Sequence, residues 1–267
     1  MASFESIKKV GIIGAGTMGR GIVMNFVNAG YPVTWLDVNG EMLEKGLVDI
    51  ASVYKRSVAQ ERFDDAEAQA RLGRITTTQD YAALQDMDLV VEAVYENMDL
   101  KKKIFAELDK AVKASAILAT NTSYLDIDEI ASATGRPTQV LGLHFFSPAN
   151  VMRLLEEVRT KKTSATVMAT CMALAKRIGK VPAMVGVCDG FVGNRMLAKR
   201  GDQAAQLILE GAKVEDVDRV LYDFGFPMGP FAMSDLAGND VGWRIRQGRG
   251  VTSPVADAIC ELGRFGQ

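Results

Sequence analysis

Short apolar runs alternate along the first two thirds of the chain with longer stretches in which apolar residues recur every third or fourth position. The short runs predict buried strands, and the longer spacing predicts amphipathic helices. Because the runs are almost continuously apolar, they fit strands covered on both faces of a parallel sheet. The predicted strands are 8–13, 32–36, 74–77, 89–93, 116–119, 140–145, 154–158 and 181–187, and the predicted helices are 17–28, 41–71 with a break near Phe63, 98–112 and 164–178.

The pattern changes after Asp189. Helices are predicted at 191–209, 214–224 and 231–247, separated by glycine and proline, and no strand is predicted among them. We therefore expect an α/β domain over 1–188 and a smaller all-helical domain over 189–267. Glycine and proline are frequent in the last 20 residues, where no helix cap is evident. We expect the helical domain to be incomplete.

Composition narrows the class of protein. Apolar residues make up 48 % of the 267 positions and charged residues 24 %, which is typical of globular proteins rather than disordered or collagenous ones. Lys and Arg total 31 against 33 Asp and Glu, so the net charge is −2 and neither nucleic acid nor a membrane surface is an expected partner. No apolar run reaches the ~18 residues that a membrane span requires.

Cysteine and histidine usage excludes two kinds of site. Cys171, Cys188 and Cys260 are widely spaced and form no CxxC pair, so we expect no disulfide framework and a reducing compartment. A cytoplasmic location is expected, with mitochondria or peroxisomes left open for a eukaryotic source. His144 is the single histidine, which excludes a metal site built on several histidines, and we expect no metal.

A glycine loop, GAGTMG at 14–19, follows the first predicted strand and opens the first helix. Its glycines permit a tight turn, a close approach of a pyrophosphate and close packing of the helix on the strand. The helix N-terminus adds N–H groups and a partial positive charge. Asp37 ends the second strand, where a carboxylate binds the adenosine ribose and repels a 2′-phosphate. The pattern predicts a Rossmann-type, doubly wound and mostly parallel sheet that binds NAD, with cofactor-binding residues Gly14, Gly16, Met18, Gly19 and Asp37.

His144 stands at the end of a predicted strand, beside Phe145 and Phe146. An imidazole titrates near neutral pH, so it can move one proton under physiological conditions. Glu156, near the start of the next strand, could point back at His144, fix its tautomer and stabilise the imidazolium. The alternative is a packed histidine with Glu156 or Glu157 as a surface charge.

Two further polar residues are candidates for binding a substrate oxygen. Ser123 follows a strand end, where open α/β sheets bind ligands, but it could instead cap the helix predicted at 127–133. Asn194 opens the helical domain, and its amide could donate to the same oxygen. The alternative is an Asn that only begins a helix or lies in a loop.

Five motifs occur in order along the chain: VEAVYEN at 91–97, NTS at 121–123, GLHFFSP at 142–148, GFVGNR at 190–195 and DLAG at 235–238. Together they resemble the 3-hydroxyacyl-CoA dehydrogenase family of fatty-acid β-oxidation. The residues of these motifs are most similar to those in the dehydrogenase part of multifunctional β-oxidation enzymes.

The resemblance implies an NAD-dependent oxidoreductase that interconverts a (3S)-3-hydroxyacyl-CoA and the 3-ketoacyl-CoA. It assigns the general base to His144 and selects Glu156 over Glu157 as its partner. It assigns polarisation of the substrate oxygen to Ser123 and Asn194. An acyl-CoA is the implied substrate, and the implied assembly is a homodimer or a larger multifunctional chain.

The resemblance also implies which residues line the ribose and nicotinamide of the cofactor. From the pattern alone, 101–103 is predicted to be a solvated helix face. Ser147 stands where many monofunctional members have Asn. The implied lining residues are Val94, Glu96, Lys101, Ser123 and Ser147.

Two other functions remain open at this point. The 3-hydroxyacid dehydrogenases also join a glycine loop to a helical domain, but they use a catalytic lysine, and Lys199 and Lys213 lack a Gly-x-x-x-Lys context. A non-catalytic NAD-binding Rossmann protein would keep the fold without turnover. An assay that compares a free acid with a thioester separates these functions.

Overall fold

The computed structural model describes residues 6–266, apart from the side chains of Ile245 and Arg249. The chain divides into two units, Met1–Val192 and Gly193–Gln267. The boundary that the sequence pattern indicates, residue 188, lies just before this division.

The first unit alternates strands and helices, as the apolar pattern predicts. Its strands are β1 (Val10–Ile13), β2 (Val33–Leu36), β3 (Ile75–Thr78), β4 (Leu89–Glu92), β5 (Ile117–Thr120), β6 (Val140–Phe145), β7 (Leu154–Arg159) and β8 (Val181–Gly186). Its helices are α1 (Thr17–Asn28), α2 (Gly40–Ala59), α3 (Asp65–Leu72), α4 (Met98–Ala111), α5 (Ile127–Ala131) and α6 (Ala165–Arg177).

The predicted break near Phe63 is confirmed, because α2 ends at Ala59 and α3 begins at Asp65. Asp64 lies directly before α3, and its side chain accepts a hydrogen bond from the Glu67 N–H. This contact satisfies one of the unpaired donors of a helix N-terminus, so a new helix starts here.

The eight strands form one sheet in the order β3-β2-β1-β4-β5-β6-β7-β8. All neighbouring strands are parallel except β6 and β7, which are antiparallel. The strand order reverses between β1 and β4, where doubly wound sheets bind ligands at the carboxyl ends of their strands. The predicted doubly wound, mostly parallel sheet is confirmed.

Two apolar clusters cover the two faces of this sheet. Val10 and Ile12 of β1 belong to one cluster, together with residues of α1, α2 and α6. Ile13, the next residue along β1, belongs to the other, together with residues of α4 and α5. Adjacent strand residues point to opposite faces, so strands buried on both sides are apolar throughout.

The second unit contains the helices α7 (Gly193–Leu209), α8 (Val214–Phe224), α9 (Pro230–Ala237), α10 (Asn239–Arg249) and α11 (Pro254–Glu261). The prediction of one helix over 231–247 is wrong. Gly238 has a φ of +95° and separates α9 from α10, a left-handed backbone conformation that favours glycine. Helix α11 lies in the segment rich in glycine and proline, where no helix was predicted.

Among the described residues, no helix combines the length and apolar composition that crossing a bilayer requires.

Candidate active site

The glycine loop connects β1 to α1, and its glycines meet different steric demands. Gly14 has a φ of +105°, and a Cβ there would lie 2.6 Å from the Ala93 carbonyl oxygen. A Cβ on Gly19 would overlap the carbonyl oxygen of Gly14. By contrast, a Cβ on Gly16 would meet no heavy atom within 4 Å. The space above Gly16 is therefore open to a phosphate group, while the other two glycines are required by the protein itself.

Asp37 follows β2 at the same edge of the sheet, where its carboxylate supports the glycine loop. Oδ2 accepts a hydrogen bond from the Ala15 N–H at 2.6 Å, and Oδ1 accepts one from the Asn39 N–H at 2.9 Å. A carboxylate has about four acceptor positions, so two remain for ribose hydroxyls. The loop and Asp37 together fit the adenosine end of NAD.

His144 and Glu156 lie directly opposite each other in the antiparallel pair of β6 and β7. The distance from His144 Nδ1 to Glu156 Oε2 is 2.8 Å, and both residues are buried. Glu156 Oε1 accepts a second hydrogen bond, from the Val192 N–H at 3.0 Å. When Nδ1 carries the proton and donates it to Glu156, the lone pair of Nε2 is free to accept a proton.

The interpretation of Glu156 or Glu157 as a surface charge is wrong, since their exposed fractions are 1 % and 0 %. Consecutive strand residues point to opposite faces, so Glu156 faces His144 and Glu157 faces away from it.

Two aromatic rings pack beside the imidazole. The ring centroid of His144 lies 4.4 Å from that of Phe146 and 5.6 Å from that of Phe191. Phe191 is fully buried and has a φ of +47°, which is uncommon for a large side chain. Phe191 and Val192 were not among the predicted site residues, although both lie inside the GFVGNR motif.

Ser123 lies at the open nitrogen of the imidazole. Its Oγ is 3.2 Å from His144 Nε2, so the hydroxyl and the imidazole can contact one substrate oxygen. The alternative role of Ser123 as a helix cap is wrong. Asp126 caps α5, and its side chain accepts hydrogen bonds from the N–H groups of Asp128 and Glu129.

Lys101 is fully buried, so the prediction of a solvated helix face is wrong at this position. Its Nζ lies 2.7 Å from Glu92 Oε1 and 3.6 Å from Glu96 Oε2. Lys102 and Lys103 remain at the surface. Glu92 was not among the predicted site residues, although a single carboxylate in an otherwise apolar strand was a signal for it.

The remaining predicted residues are spread over both units. Val94 is half-buried just after β4, Ser147 is exposed in the loop after β6, and Met18 is half-buried in the first turn of α1. Asn194 lies in the first turn of α7, in the second unit, and its role stays a prediction.

The arrangement in the first unit suits proton transfer at the carboxyl ends of the strands. An imidazole backed by a carboxylate can take a proton from a substrate hydroxyl and hold it. The glycine loop, Glu96 and Ser123 follow β1, β4 and β5, whose carboxyl ends meet at the edge of the sheet where open α/β folds bind ligands. No group of three potential metal ligands occurs within the described residues.

Comparison with known proteins gives matches along the whole chain. Residues 9–188 match the model of the 3-hydroxyacyl-CoA dehydrogenase NAD binding domain, and residues 190–267 match the model of the 3-hydroxyacyl-CoA dehydrogenase C-terminal domain. The peroxisomal bifunctional enzyme of Cavia porcellus is 47 % identical over 285 residues, an alignment that covers all of this chain and 39 % of that protein. The chain therefore spans about two fifths of the length of the curated relatives it matches.

Two solved structures are similar over nearly the whole chain. (S)-3-hydroxybutyryl-CoA dehydrogenase PaaH1 from Ralstonia eutropha has a TM-score of 0.91 and 34 % identity, covering 98 % of this chain and 96 % of that one. The dehydrogenase part of multifunctional enzyme 1 from C. elegans has a TM-score of 0.75 and 33 % identity, covering 99 % of this chain and 61 % of that one. With both family models matched in order and the glycine loop present, the chain belongs to the 3-hydroxyacyl-CoA dehydrogenase family, and its first unit is the family's NAD binding domain.

Proposed function

We propose that this chain catalyses the NAD-dependent oxidation of a (3S)-3-hydroxyacyl-CoA to the 3-ketoacyl-CoA in fatty-acid β-oxidation. One observation carries the proposal: Glu156 holds Nδ1 of His144 while Ser123 stands at Nε2. This triad lies at the ligand-binding edge of a sheet that also bears the glycine loop.

The cofactor site fits NAD by steric and electrostatic criteria. When bound, NAD accepts the hydride that leaves C3 of the substrate. Gly14, Gly16 and Gly19 shape the loop for the pyrophosphate, and Asp37 accepts from the ribose hydroxyls. The negative charge of Asp37 disfavours the 2′-phosphate of NADP. Met18, Val94, Glu96, Lys101 and Ser147 complete the proposed cofactor surroundings.

His144 Nε2 takes the proton of the substrate hydroxyl. The imidazolium that forms is stabilised by the Glu156 carboxylate, 2.8 Å from Nδ1. Burial of this pair keeps water from competing with the contact. Ser123 Oγ donates to the oxygen at C3, and the Asn194 amide is proposed to donate to it as well. This donation favours the developing carbonyl.

The names of the relatives guide the choice of substrate, compartment and assembly. One solved relative is named for (S)-3-hydroxybutyryl-CoA, which favours an acyl-CoA thioester of S configuration over a free hydroxy acid. Curated relatives are named as peroxisomal and bifunctional, so for a eukaryotic source we favour the peroxisome over the cytoplasm, and a multifunctional chain over a separate homodimer.

The test is a spectrophotometric assay that follows the formation of NADH with (S)-3-hydroxybutyryl-CoA as the substrate. The free hydroxy acid in place of the thioester, and NADP in place of NAD, are the comparisons. We expect turnover of the thioester with NAD. His144→Gln is expected to lower kcat about 10²–10⁴-fold while NAD affinity, measured by calorimetry, is retained. Glu44→Gln, at an exposed position of α2, serves as the control. Full turnover by His144→Gln would end the assignment, and binding of NAD without turnover of any substrate would favour the non-catalytic protein.

A further inference from the structure

Glu92 is a fully buried carboxylate at the end of β4, and it has no place in the proposed chemistry. Its Oε1 accepts hydrogen bonds from Lys101 Nζ and from the Val94 N–H, each at 2.7 Å. Its Oε2 accepts one from Thr120 Oγ1 at 2.7 Å, across the parallel pair of β4 and β5. All of its polar atoms are therefore engaged inside the protein.

Lys101 extends this arrangement towards the surface. Its Nζ lies 3.6 Å from Glu96 Oε2 and 3.5 Å from the Val94 carbonyl oxygen. Glu92 and Lys101 are both fully buried, while 35 % of the Glu96 side chain is exposed. Lys101 thus lies between a buried carboxylate and a partly exposed one.

Glu96 also fixes the loop that carries Ser123. Its Oε1 accepts hydrogen bonds from Thr122 Oγ1 at 2.6 Å and from the Ser123 N–H at 2.8 Å. Ser123 Oγ then lies 3.2 Å from His144 Nε2. A continuous series of contacts therefore leads from Glu92 to the imidazole.

A buried ion pair is weak evidence for stability, because apolar side chains of similar volume often serve the fold as well. The Glu92–Lys101 pair instead determines where the Lys101 ammonium group lies. Glu92 holds the Lys101 ammonium group from one side, so the position of that group against Glu96 on the other side depends on the Glu92 charge. Without the Glu92 charge, the Lys101 ammonium group is no longer held in place, and Glu96 loses the fixed partner that keeps its Oε1 at the Ser123 N–H.

We propose that Glu92 is a positioning residue, which acts through Lys101 and Glu96 to hold Ser123 against His144. The proposal rests on the proposed function for its effect on turnover, but its structural part concerns only the Ser123–His144 contact.

Since His144 is the single histidine, the NMR signal of its ring carbon Cε1–H needs no assignment and reports on that contact directly. Ser123→Ala gives the reference position of the signal when the hydroxyl is absent. We expect Glu92→Gln to move the signal of the apo protein from the wild-type position towards that reference. We also expect a kcat about 10–100-fold lower at saturating substrates, because small misplacements of catalytic groups have effects of this size.

Two further variants separate positioning from folding. Leu118→Val loosens the packing of the neighbouring strand β5 and leaves the charges of Glu92 and Lys101 in place, and the His144 signal should stay at its wild-type position. Glu92→Gln/Lys101→Met removes both charges, so it leaves no unpaired buried charge even if the single variant fails to fold. Its signal should still lie near the Ser123→Ala position, because Glu96 has lost its support.

A wild-type signal in Glu92→Gln or in the double variant would overturn the proposal, as would an equal shift in Leu118→Val. These outcomes do not depend on turnover. Full activity of His144→Gln would overturn the proposed function alone, whereas an unshifted imidazole signal would overturn the positioning role alone.

Discussion

At the scale of single residues, two adjacent glutamates on β7 have opposite environments. Glu156 accepts hydrogen bonds from His144 and from the Val192 N–H. Neither oxygen of Glu157 has a hydrogen-bond partner among the described residues, and burial raises the pKa of Glu157 to about 8. Burial also raises the pKa of the nearby Cys171 thiol, with Glu157 as a further cause. One carboxyl is thus hydrogen-bonded to an imidazole and a backbone N–H, and burial without a partner favours the neutral form of the other.

Glu156→Gln is expected to lower kcat by about 10²–10⁴-fold with little change in NAD affinity. The amide can still accept from the Val192 N–H, but its NH₂ group then faces His144 Nδ1. This contact favours the tautomer with the proton on Nε2, where the base is needed. Steady-state kinetics and calorimetric NAD binding check the prediction. Unchanged kcat in a folded Glu156→Gln protein would show that the carboxylate has no part in the reaction.

Glu157 is expected to make stability fall as pH rises. Its pKa is about 8 in the folded chain, above its ordinary value of 4.5. Between these values the folded state holds a proton that the unfolded state releases, so the free energy of unfolding decreases with pH, and the loss is complete above about pH 8. Glu157→Gln removes this titration, so its stability relative to wild type should rise with pH, by at most about 1.4 kcal/mol per pH unit.

Urea unfolding between about pH 5 and pH 8 measures this difference. Glu44→Gln, at an exposed position, should show an offset from wild type that does not change with pH. A similarly constant offset for Glu157→Gln would contradict the prediction.

At the scale of elements, the glycine loop separates two functions that a sequence motif presents as one. Gly19 is required by the packing of α1 on the turn, since a Cβ there would overlap the Gly14 carbonyl oxygen. Gly16 faces open space, so its lack of a side chain matters only when a ligand approaches. The two positions therefore form a natural matched pair.

Gly19→Ala is expected to lower the free energy of unfolding by about 1–3 kcal/mol, because helix and loop must move apart. Gly16→Ala is expected to leave stability within ~0.5 kcal/mol of wild type but to weaken NAD binding at least about tenfold, because its methyl group occupies the space of the pyrophosphate. Chemical unfolding and NAD titration of both variants check the pair. Equal NAD affinity of Gly16→Ala and wild type would place the pyrophosphate elsewhere.

Elements also show where local patterns mislead. Residues 231–247 have the apolar spacing of one helix, but the positive φ of Gly238 ends α9 before α10 begins. Lys101 lies in a run of three lysines that suggests a solvent-exposed helix face, yet its side chain is paired with Glu92 inside the protein. Spacing describes which positions share a face, whereas a partner from another element decides whether a polar position can be buried.

At the scale of the whole molecule, the two units differ in how much apolar surface they bury. The first unit contains two extended clusters of buried residues. In the described part of the second unit, the buried apolar side chains are Ala204, Pro230 and Cys260, and α8 has no buried residue. Few buried contacts imply local opening at a low free-energy cost.

Hydrogen exchange measured by mass spectrometry should therefore show faster exchange in α7 and α8 than in β1, β4 and β5. We expect a difference of at least about tenfold, equivalent to ~1.4 kcal/mol in opening free energy. Exchange in the core strands of the first unit serves as the internal reference. Equal protection of the two sets of elements would contradict the prediction.

The local sequence by itself determined the elements of the first unit and several candidate site residues. The alternation of apolar runs specified the strands and helices of the first unit, because burial on both faces demands apolar residues at every strand position. The GAGTMG loop and Asp37 predicted the cofactor edge through backbone sterics and charge. The single histidine limited any imidazole chemistry to His144.

Tertiary structure alone decided which distant polar groups meet. The antiparallel register of β6 and β7 sets Glu156, and not Glu157, against His144, and a shift of one residue would exchange their faces. The buried Glu92–Lys101 pair and the contact of Ser123 with His144 join elements far apart in the chain. Such contacts depend on strand order and register, and periodicity within a single element carries no record of either.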